Sequence, residues 1–361
     1  MTDDRIRVLI VDDSAFMRRV IHNMIEMNPE MDVVGSARDG LDALKKAKEL
    51  KPDVITLDIE MPVMDGLTAL ENLQKQDDYA VIVVSSHTKE GASATIRALE
   101  LGAFDFVSKP DNIFSMPSEK IRAELTEKIR LAYQSKKQGR KIIKNQGAVP
   151  ATGEHTDAGK DLKYLIAIGI STGGPRALSS IMPMFPADIP AAVIVVQHMP
   201  EGFTRSLANR LNEICYLTVK EAADNELIKP GNVYIAPGSH HLMLKSEGGK
   251  TRIVLSDQPP LGGFRPSVDM MMRSIADCDI SNIIAVIMTG MGSDGTKGLI
   301  ELKKKKNPYV IAQDESTSIV FGMPKVAIES GVVDDIAPLM EIPNRIMKYM
   351  GVRHNGYESV S

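Results

Sequence analysis

The chain has 361 residues, and at the usual domain size this points to two domains rather than one. Its formal net charge is −4, from 43 Lys and Arg against 47 Asp and Glu, so no basic excess argues for a nucleic-acid partner. The two cysteines, Cys215 and Cys278, are too few for a disulfide framework and read as reduced and structural. The opening residues lack the basic start and apolar run of a signal peptide, and no stretch nears the ~20 apolar residues of a membrane span. A cytoplasmic protein with no membrane insertion is therefore expected. The 21 methionines are scattered and read as core filler.

In chain order, Arg7–Val11 is a β-type run and Ala15–Met27 has helical spacing. Val33–Ala37 is predicted as a strand, Gly40–Leu50 as a helix, and Val54–Leu57, Ala80–Ser85 and Phe104–Ser108 as further strands. Strands alternating with helices predict a doubly wound α/β domain around a parallel sheet. Ser118–Gln134 follows as an amphipathic helix, with Ile121, Leu125, Ile129 and Ala132 on one stripe. Residues 134–161 are rich in Lys, Gly, Gln and Thr without apolar periodicity, and are expected to be a linker. Alternation resumes at Leu162, with strands predicted at Tyr164–Gly169, Ala191–Gln197, Asn232–Ala236, Ile283–Thr289 and Tyr309–Gln313. The expected division is residues 1–125, a helical extension and linker over 126–161, a second mostly parallel-sheet domain over 162–350, and a tail over 351–361.

In doubly wound sheets, ligands bind beyond the carboxyl ends of the strands. The first strand ends in Asp12 and Asp13, the third in Asp58, the fourth in Ser85 and the fifth in Lys109. Clustered carboxylates repel one another unless a cation joins them, and oxygen-only ligands select a hard ion such as Mg²⁺. A Mg²⁺ beside Lys109 would neutralise a phosphoryl group in transfer. Asp58 is then the expected nucleophile, and Ser85 the expected hydrogen-bond donor to the new phosphate.

The second domain opens with YLIAIGISTGGPRAL, a strand and Gly-rich turn leading to a helix that Pro175 begins. Gly169 to Gly173 fits the G-x-S-x-G nucleophile pattern with Ser171 at its centre. Spacing alone leaves a phosphate-cradling turn or a plain turn open beside the esterase reading. A seryl nucleophile needs a base. His198, directly after an apolar strand, is the favoured candidate, with His240 and His241 as competitors after YIAPGS. A third group must orient the imidazole. Asp294, in the turn of MTGMGSDGTKGL, is the candidate, although such an Asp could equally cap the next helix. The order Ser, His, Asp differs from that of α/β-hydrolases, so that fold is not expected.

VLIVDDSAFMRR, DVITLDIEMPVMDGL and FDFVSKP closely resemble response-regulator receiver domains, over about residues 5–125. The resemblance implies a flavodoxin-like receiver, with Asp58 phosphorylated by a histidine kinase, Asp13 and Asp58 at metal-binding positions, Asp12 beside them, and Ser85 where receivers carry Ser or Thr. GISTGGP, VVQHMPEGFTRSLANRL, YIAPGSHHL, RPSVDMMMRS, MTGMGSDGTKGL and IAQDESTSIVFGMP resemble the chemotaxis protein-glutamate methylesterase family, over about residues 163–350. That resemblance implies an α/β/α catalytic domain with catalytic Ser171, His198 and Asp294. It also implies an oxyanion hole that includes the Met291 backbone N–H, assisted by Thr172. The implied substrates are glutamyl methyl esters and selected glutamines on methyl-accepting chemotaxis receptors. Demethylation would give sensory adaptation, phosphorylation would activate it, and the esterase reaction itself would need no cofactor. A DNA-binding response regulator would instead carry a basic helix-turn-helix after the linker, and the second domain does not read that way. Lys303–Lys306 reads as the solvated end of a helix.

Overall fold

The computed structural model describes residues 5–77, 79–86, 88–109, 119–138 and 161–352. His87, Pro110, Ser118, most of the expected linker and the tail from residue 353 lie outside the described residues. The chain divides into two compact units, Met1–Asn145 and Gln146–Ser361.

The first unit runs β1 (Ile6–Val11), α1 (Ala15–Glu26), β2 (Met31–Ala37), α2 (Gly40–Leu50), β3 (Val54–Asp58), α3 (Gly66–Gln76), β4 (Ala80–Ser85), α4 (Lys89–Leu101), β5 (Asp105–Ser108) and α5 (Glu119–Lys137). Its sheet is parallel throughout, in the order β2-β1-β3-β4-β5. Every residue of β3 and β4 is buried, as near-continuous apolar runs require in a sheet covered on both faces. Four helices begin abruptly because a side chain caps each one. Ser14 accepts from Met17 N, Asp39 from Asp42 N, Asp65 from Thr68 N and Thr88 from Gly91 N. Each such cap contributes about 1 kcal/mol and keeps the strand-to-helix turn short. Helix α5 buries Leu125, Ile129 and Ala132 of the predicted stripe, and it also buries Ser135. The stripe therefore continues one turn beyond Gln134, and the expected boundaries at residues 125 and 134 both fall inside α5.

The second unit runs β6 (Tyr164–Ile170), α6 (Gly174–Ile181), β7 (Ala191–Gln197), α7 (Phe203–Ile214), β8 (Thr218–Glu221), β9 (Asn232–Ile235), β10 (His241–Glu247), β11 (Lys250–Ser256), α8 (Val268–Ala276), β12 (Ile283–Ile287), α9 (Thr296–Lys305), β13 (Tyr309–Gln313), α10 (Met323–Glu329), β14 (Asp335–Ala337) and α11 (Ile342–Met350). Seven strands form a parallel sheet in the order β14-β13-β12-β6-β7-β9-β8. Strands β10 and β11 form a separate antiparallel hairpin. The short edge strands β8 and β14 and this hairpin were not among the predicted strands. β8 and β14 are short, and the seven-residue strands of the hairpin are partly polar and partly exposed, so none has the fully buried apolar run of a central strand. Chain order reverses between β6 and β12, which creates the crevice where a doubly wound sheet takes its ligand. No helix among the described residues is long and apolar enough to cross a membrane.

Candidate active site and candidate phosphoacceptor site

Register brings the catalytic candidates together. Ile170, the last residue of β6, lies opposite Gln197, the last residue of β7. Ser171 and His198 are therefore each the first residue beyond adjacent central strands. His198 N–H donates to the Ile170 carbonyl at 3.1 Å, and Ser171 N–H donates to the Thr289 carbonyl beyond β12 at 3.0 Å. The buried Gln197 side chain ties the two turns, its Nε2 donating to the carbonyls of both Ser171 and His198 at 3.0 Å. Gly174 N–H donates to the Ser171 carbonyl at 2.8 Å, so the chain turns at once from Ser171 into α6.

His198 Nε2 lies 2.8 Å from Asp294 Oδ2. A carboxylate can only accept, so Nε2 carries the proton of this bond, and in the neutral ring Nδ1 holds the lone pair. That Nδ1 is buried and has no hydrogen-bond partner among the described residues. Asp294 also accepts from Ser267 Oγ at 2.9 Å, Val268 N at 2.7 Å and Asp269 N at 3.0 Å. Burial pushes its carboxyl up, but the His198 hydrogen bond and charge and the Asp269 and Val268 N–H groups outweigh burial and hold it below its ordinary value. Asp294 thus caps a helix, but it is α8 rather than the helix that follows it in sequence. The ring of Phe264 stacks on the His198 imidazole, with centroids 4.1 Å apart and planes 8° apart.

The competing histidines are engaged elsewhere. His241 is fully buried; its Nε2–H donates to the Pro259 carbonyl at 3.2 Å, and its Nδ1 accepts from Ser267 N–H at 3.2 Å. Both ring nitrogens are used, so it is a structural residue. His240 bonds Ser239 Oγ through Nδ1 at 2.8 Å and meets Asp257 through Nε2 at 3.1 Å. Met291 follows the Thr289 carbonyl that holds Ser171 N–H, and its side chain is exposed. Thr172 is buried, and its carbonyl accepts from Thr289 Oγ1 at 2.9 Å. Gln197, Ser267 and Phe264 were not singled out from the sequence. Gln197 could have been noticed as a polar residue ending an apolar strand. Phe264 could have been noticed because it follows Gly-Gly.

In the first unit, the buried Asp12 and Asp58 and the more exposed Asp13 gather at the carboxyl ends of β1 and β3, where that strand order also reverses. Lys109 Nζ lies 3.0 Å from Asp12 Oδ2 and 2.8 Å from Asp58 Oδ2. Burial pushes the Asp58 carboxyl up to about 6, against the pull of Lys109. Burial would lower the Lys109 ammonium, but Asp58 and Asp12 outweigh it and hold it above its ordinary value. Carboxylate oxygens of Asp12, Asp13 and Asp58 lie within 4.8 Å of one another. Three carboxylates served by one ammonium fit a hard divalent cation, with Asp12 joining the expected pair Asp13 and Asp58. Ser85 is buried against α4, with its Oγ 2.7 Å from Thr95 Oγ1 and 3.2 Å from the Gly91 carbonyl.

Comparison with known proteins gives both units a family. The "CheB methylesterase" family model matches residues 166–346, and the "Response regulator receiver domain" model matches residues 8–117. A protein-glutamate methylesterase/protein-glutamine glutaminase of Halalkalibacterium halodurans is 48% identical over 352 residues, covering 96% of this chain and 99% of the relative. One of the same description from Thermotoga maritima is 48% identical over 348 residues, again covering 96% and 99%. The crystal structure of the Thermotoga maritima CheB methylesterase catalytic domain superposes with a TM-score of 0.50 at 48% identity. It covers 51% of this chain and 97% of that one.

Proposed function

The chain belongs to the CheB methylesterase family, with the protein-glutamate methylesterase and protein-glutamine glutaminase activity of its relatives, and from that premise we propose which residues perform the hydrolysis and how it is controlled. Ser171 Oγ attacks the side-chain carbonyl of a glutamyl methyl ester. His198 Nδ1 takes the seryl proton, while Nε2–H stays on Asp294 and stabilises the imidazolium. The backbone N–H of Met291, assisted by Thr172, faces the developing oxyanion, a contribution of about 10²–10³ in rate for one donor. The tetrahedral intermediate collapses as His198 returns its proton to the leaving methoxide, releasing methanol and leaving an ester on Ser171. Water, deprotonated by His198, then releases the glutamate. With a glutamine side chain, ammonia leaves instead of methanol and the remaining steps are the same.

One observation carries this reading: an imidazole anchored to a buried carboxylate through Nε2, with Nδ1 buried and unpaired, one residue beyond the strand that pairs with the strand ending before Ser171. A phosphate-cradling or plain turn at Ser171 would have no use for that pair. Ser171→Ala should abolish methanol release from a methylated chemoreceptor while leaving phosphorylation of the first unit intact. Release near the wild-type rate would refute the assignment.

The substrates on this reading are the cytoplasmic parts of methyl-accepting chemotaxis receptors, which makes the enzyme a cytoplasmic agent of sensory adaptation. The first unit accepts a phosphoryl group on Asp58 from a histidine kinase. Mg²⁺ held by Asp13 and Asp58, with Asp12 beside them, supplies neutralising positive charge when bound. Lys109 adds a second positive group to the same edge, and Ser85 must withdraw its hydroxyl proton from the Gly91 carbonyl to donate to the phosphate. Phosphorylation releases the hydrolase, and coupling of about 1–3 kcal/mol corresponds to roughly 5–150-fold control. Equal ester hydrolysis with and without a phosphodonor would remove the control claim.

A further inference from the structure

The loop between β11 and α8 carries a feature that the hydrolytic steps above do not use. Within Leu261-Gly262-Gly263-Phe264, Leu261 N–H donates to the Phe264 carbonyl and Phe264 N–H to the Leu261 carbonyl, both at 3.1 Å. Gly262 and Gly263 have φ of +61° and +90°. Positive φ at both central residues is the requirement of a type I′ hairpin turn, and Gly-Gly meets it without strain. The turn is therefore encoded locally, and its product is a rigidly presented Phe264. Three further ties fix the loop to the body of the unit. His241 binds both its ends, through the Pro259 carbonyl and Ser267 N–H. His240 Nε2 meets Asp257 at 3.1 Å. Within the loop, the Arg265 guanidinium donates to the Asp257 carbonyl at 3.3 Å.

A single hydrogen bond from Nε2 to Asp294 fixes one atom of the His198 ring but not its plane. Rotation about that bond would change where the unpaired Nδ1 points. A flat ring 4.1 Å away and only 8° from parallel removes that freedom. Its π face also favours the imidazolium that forms as the proton is taken. The same loop ends in Ser267, whose Oγ donates to Asp294, so the segment that carries Phe264 also holds the imidazole's other partner in place.

We propose that Phe264 is a positioning residue for the hydrolytic base, its ring holding the His198 imidazole in the plane that joins Nε2 to Asp294 and leaves Nδ1 free to take the seryl proton. The proposal rests on the reading of His198 as the base. It is tested in the full-length protein with a methylated chemoreceptor cytoplasmic fragment as substrate, Mg²⁺ and a small-molecule phosphodonor being present throughout. Phe264→Leu should lower kcat about tenfold or more with KM changed less than about twofold, while Phe264→Tyr should restore most of the rate. Long-range ¹H–¹⁵N NMR of the imidazoles should show the His198 Nε2–H tautomer losing population in Phe264→Leu while the His241 signals stay in place. That readout follows ring geometry in the folded protein and does not depend on turnover. An unchanged kcat, a change confined to KM, or a Tyr variant as slow as the Leu variant would overturn the proposal. A His198→Gln control separates the two ideas: if it still turns over, the assignment of the base fails and the Phe264 role falls with it. If His198→Gln is dead and Phe264→Leu is normal, only the Phe264 role is lost.

Discussion

Asp294 and Asp269 cap each other's helices. Asp294, in the turn before α9, accepts N–H groups of Val268 and Asp269 at the start of α8. Asp269, in the first turn of α8, accepts from Gly295 at 2.9 Å and Gly298 at 2.7 Å at the start of α9. Each carboxylate meets the positive end of a helix dipole that is not its own. The exchange fixes Asp294 from three sides before His198 reaches it.

The two carboxylates should respond differently to substitution. Burial and then the charge of Asp294 hold the Asp269 carboxyl above its ordinary value, against the pull of the Gly298 and Gly295 N–H groups. A raised carboxyl binds its proton more tightly in the folded state. Its favourable share is present at low pH and is lost as pH rises through the folded value. Asp269→Asn keeps an acceptor for both glycines and removes a buried charge, so at neutral pH its stability should equal or exceed that of the parent. Asp269→Ala strands two buried N–H groups and should cost about 1–3 kcal/mol. Urea unfolding of the three proteins checks the order.

Asp294 is held below its ordinary value, so the sign reverses. Its contribution is present above the unfolded value of 3.8 and is lost as pH falls through the folded one. Asp294→Asn should therefore be least stable relative to the parent at neutral pH, with the deficit closing in acid. His198 and Val268 share Oδ2, and an amide donor set there faces both of them, so kcat should fall about 10³–10⁴-fold. Asp58 phosphorylation measured on the same sample should be unchanged.

Gly174 tests the tie between the two catalytic turns. A Cβ there would lie 1.8 Å from Gln197 Oε1. Gly174→Ala should displace Gln197 from the Ser171 and His198 carbonyls and lower kcat by about tenfold or more. Gln197→Leu should give a similar loss, since it removes the same two bonds. Methanol-release kinetics on both variants decide this.

Metal removal should separate the two units. Chelation of Mg²⁺ should abolish Asp58 phosphorylation and leave the unstimulated ester hydrolysis unchanged, because no residue of the esterase steps calls on a metal. Asp58→Asn should reproduce that behaviour with Mg²⁺ present. Phosphate incorporation and methanol release, measured in parallel, read the two effects independently.

Apolar runs and helical spacing made most of the architecture legible. Strands β3, β4, β7 and β12 are continuous buried segments. The caps Ser14, Asp39, Asp65 and Thr88 were not read from the sequence, although their side-chain chemistry acts within four residues. The edge strands β8 and β14 and the β10–β11 hairpin were not legible, because exposed, partly polar strands carry a pattern that loops share.

The catalytic candidates divide along the same line. Sequence alone set Ser171, His198, Asp12, Asp13, Asp58 and Lys109 at strand ends, because an apolar strand and the turn that stops it are local events. Position alone left His198 in competition with His240 and His241, and left Asp294 between orienting the imidazole and capping the next helix. The folded sheet adds what spacing cannot: it sets Ile170 opposite Gln197, and it brings Asp294 to the start of α8 and Asp269 to the start of α9. Which nitrogen of His198 is spent, which histidine is locked between Pro259 and Ser267, and which ring covers the imidazole are all decided by contacts between segments far apart in the chain. Periodicity is blind to them because it records what a residue buries, not what it meets.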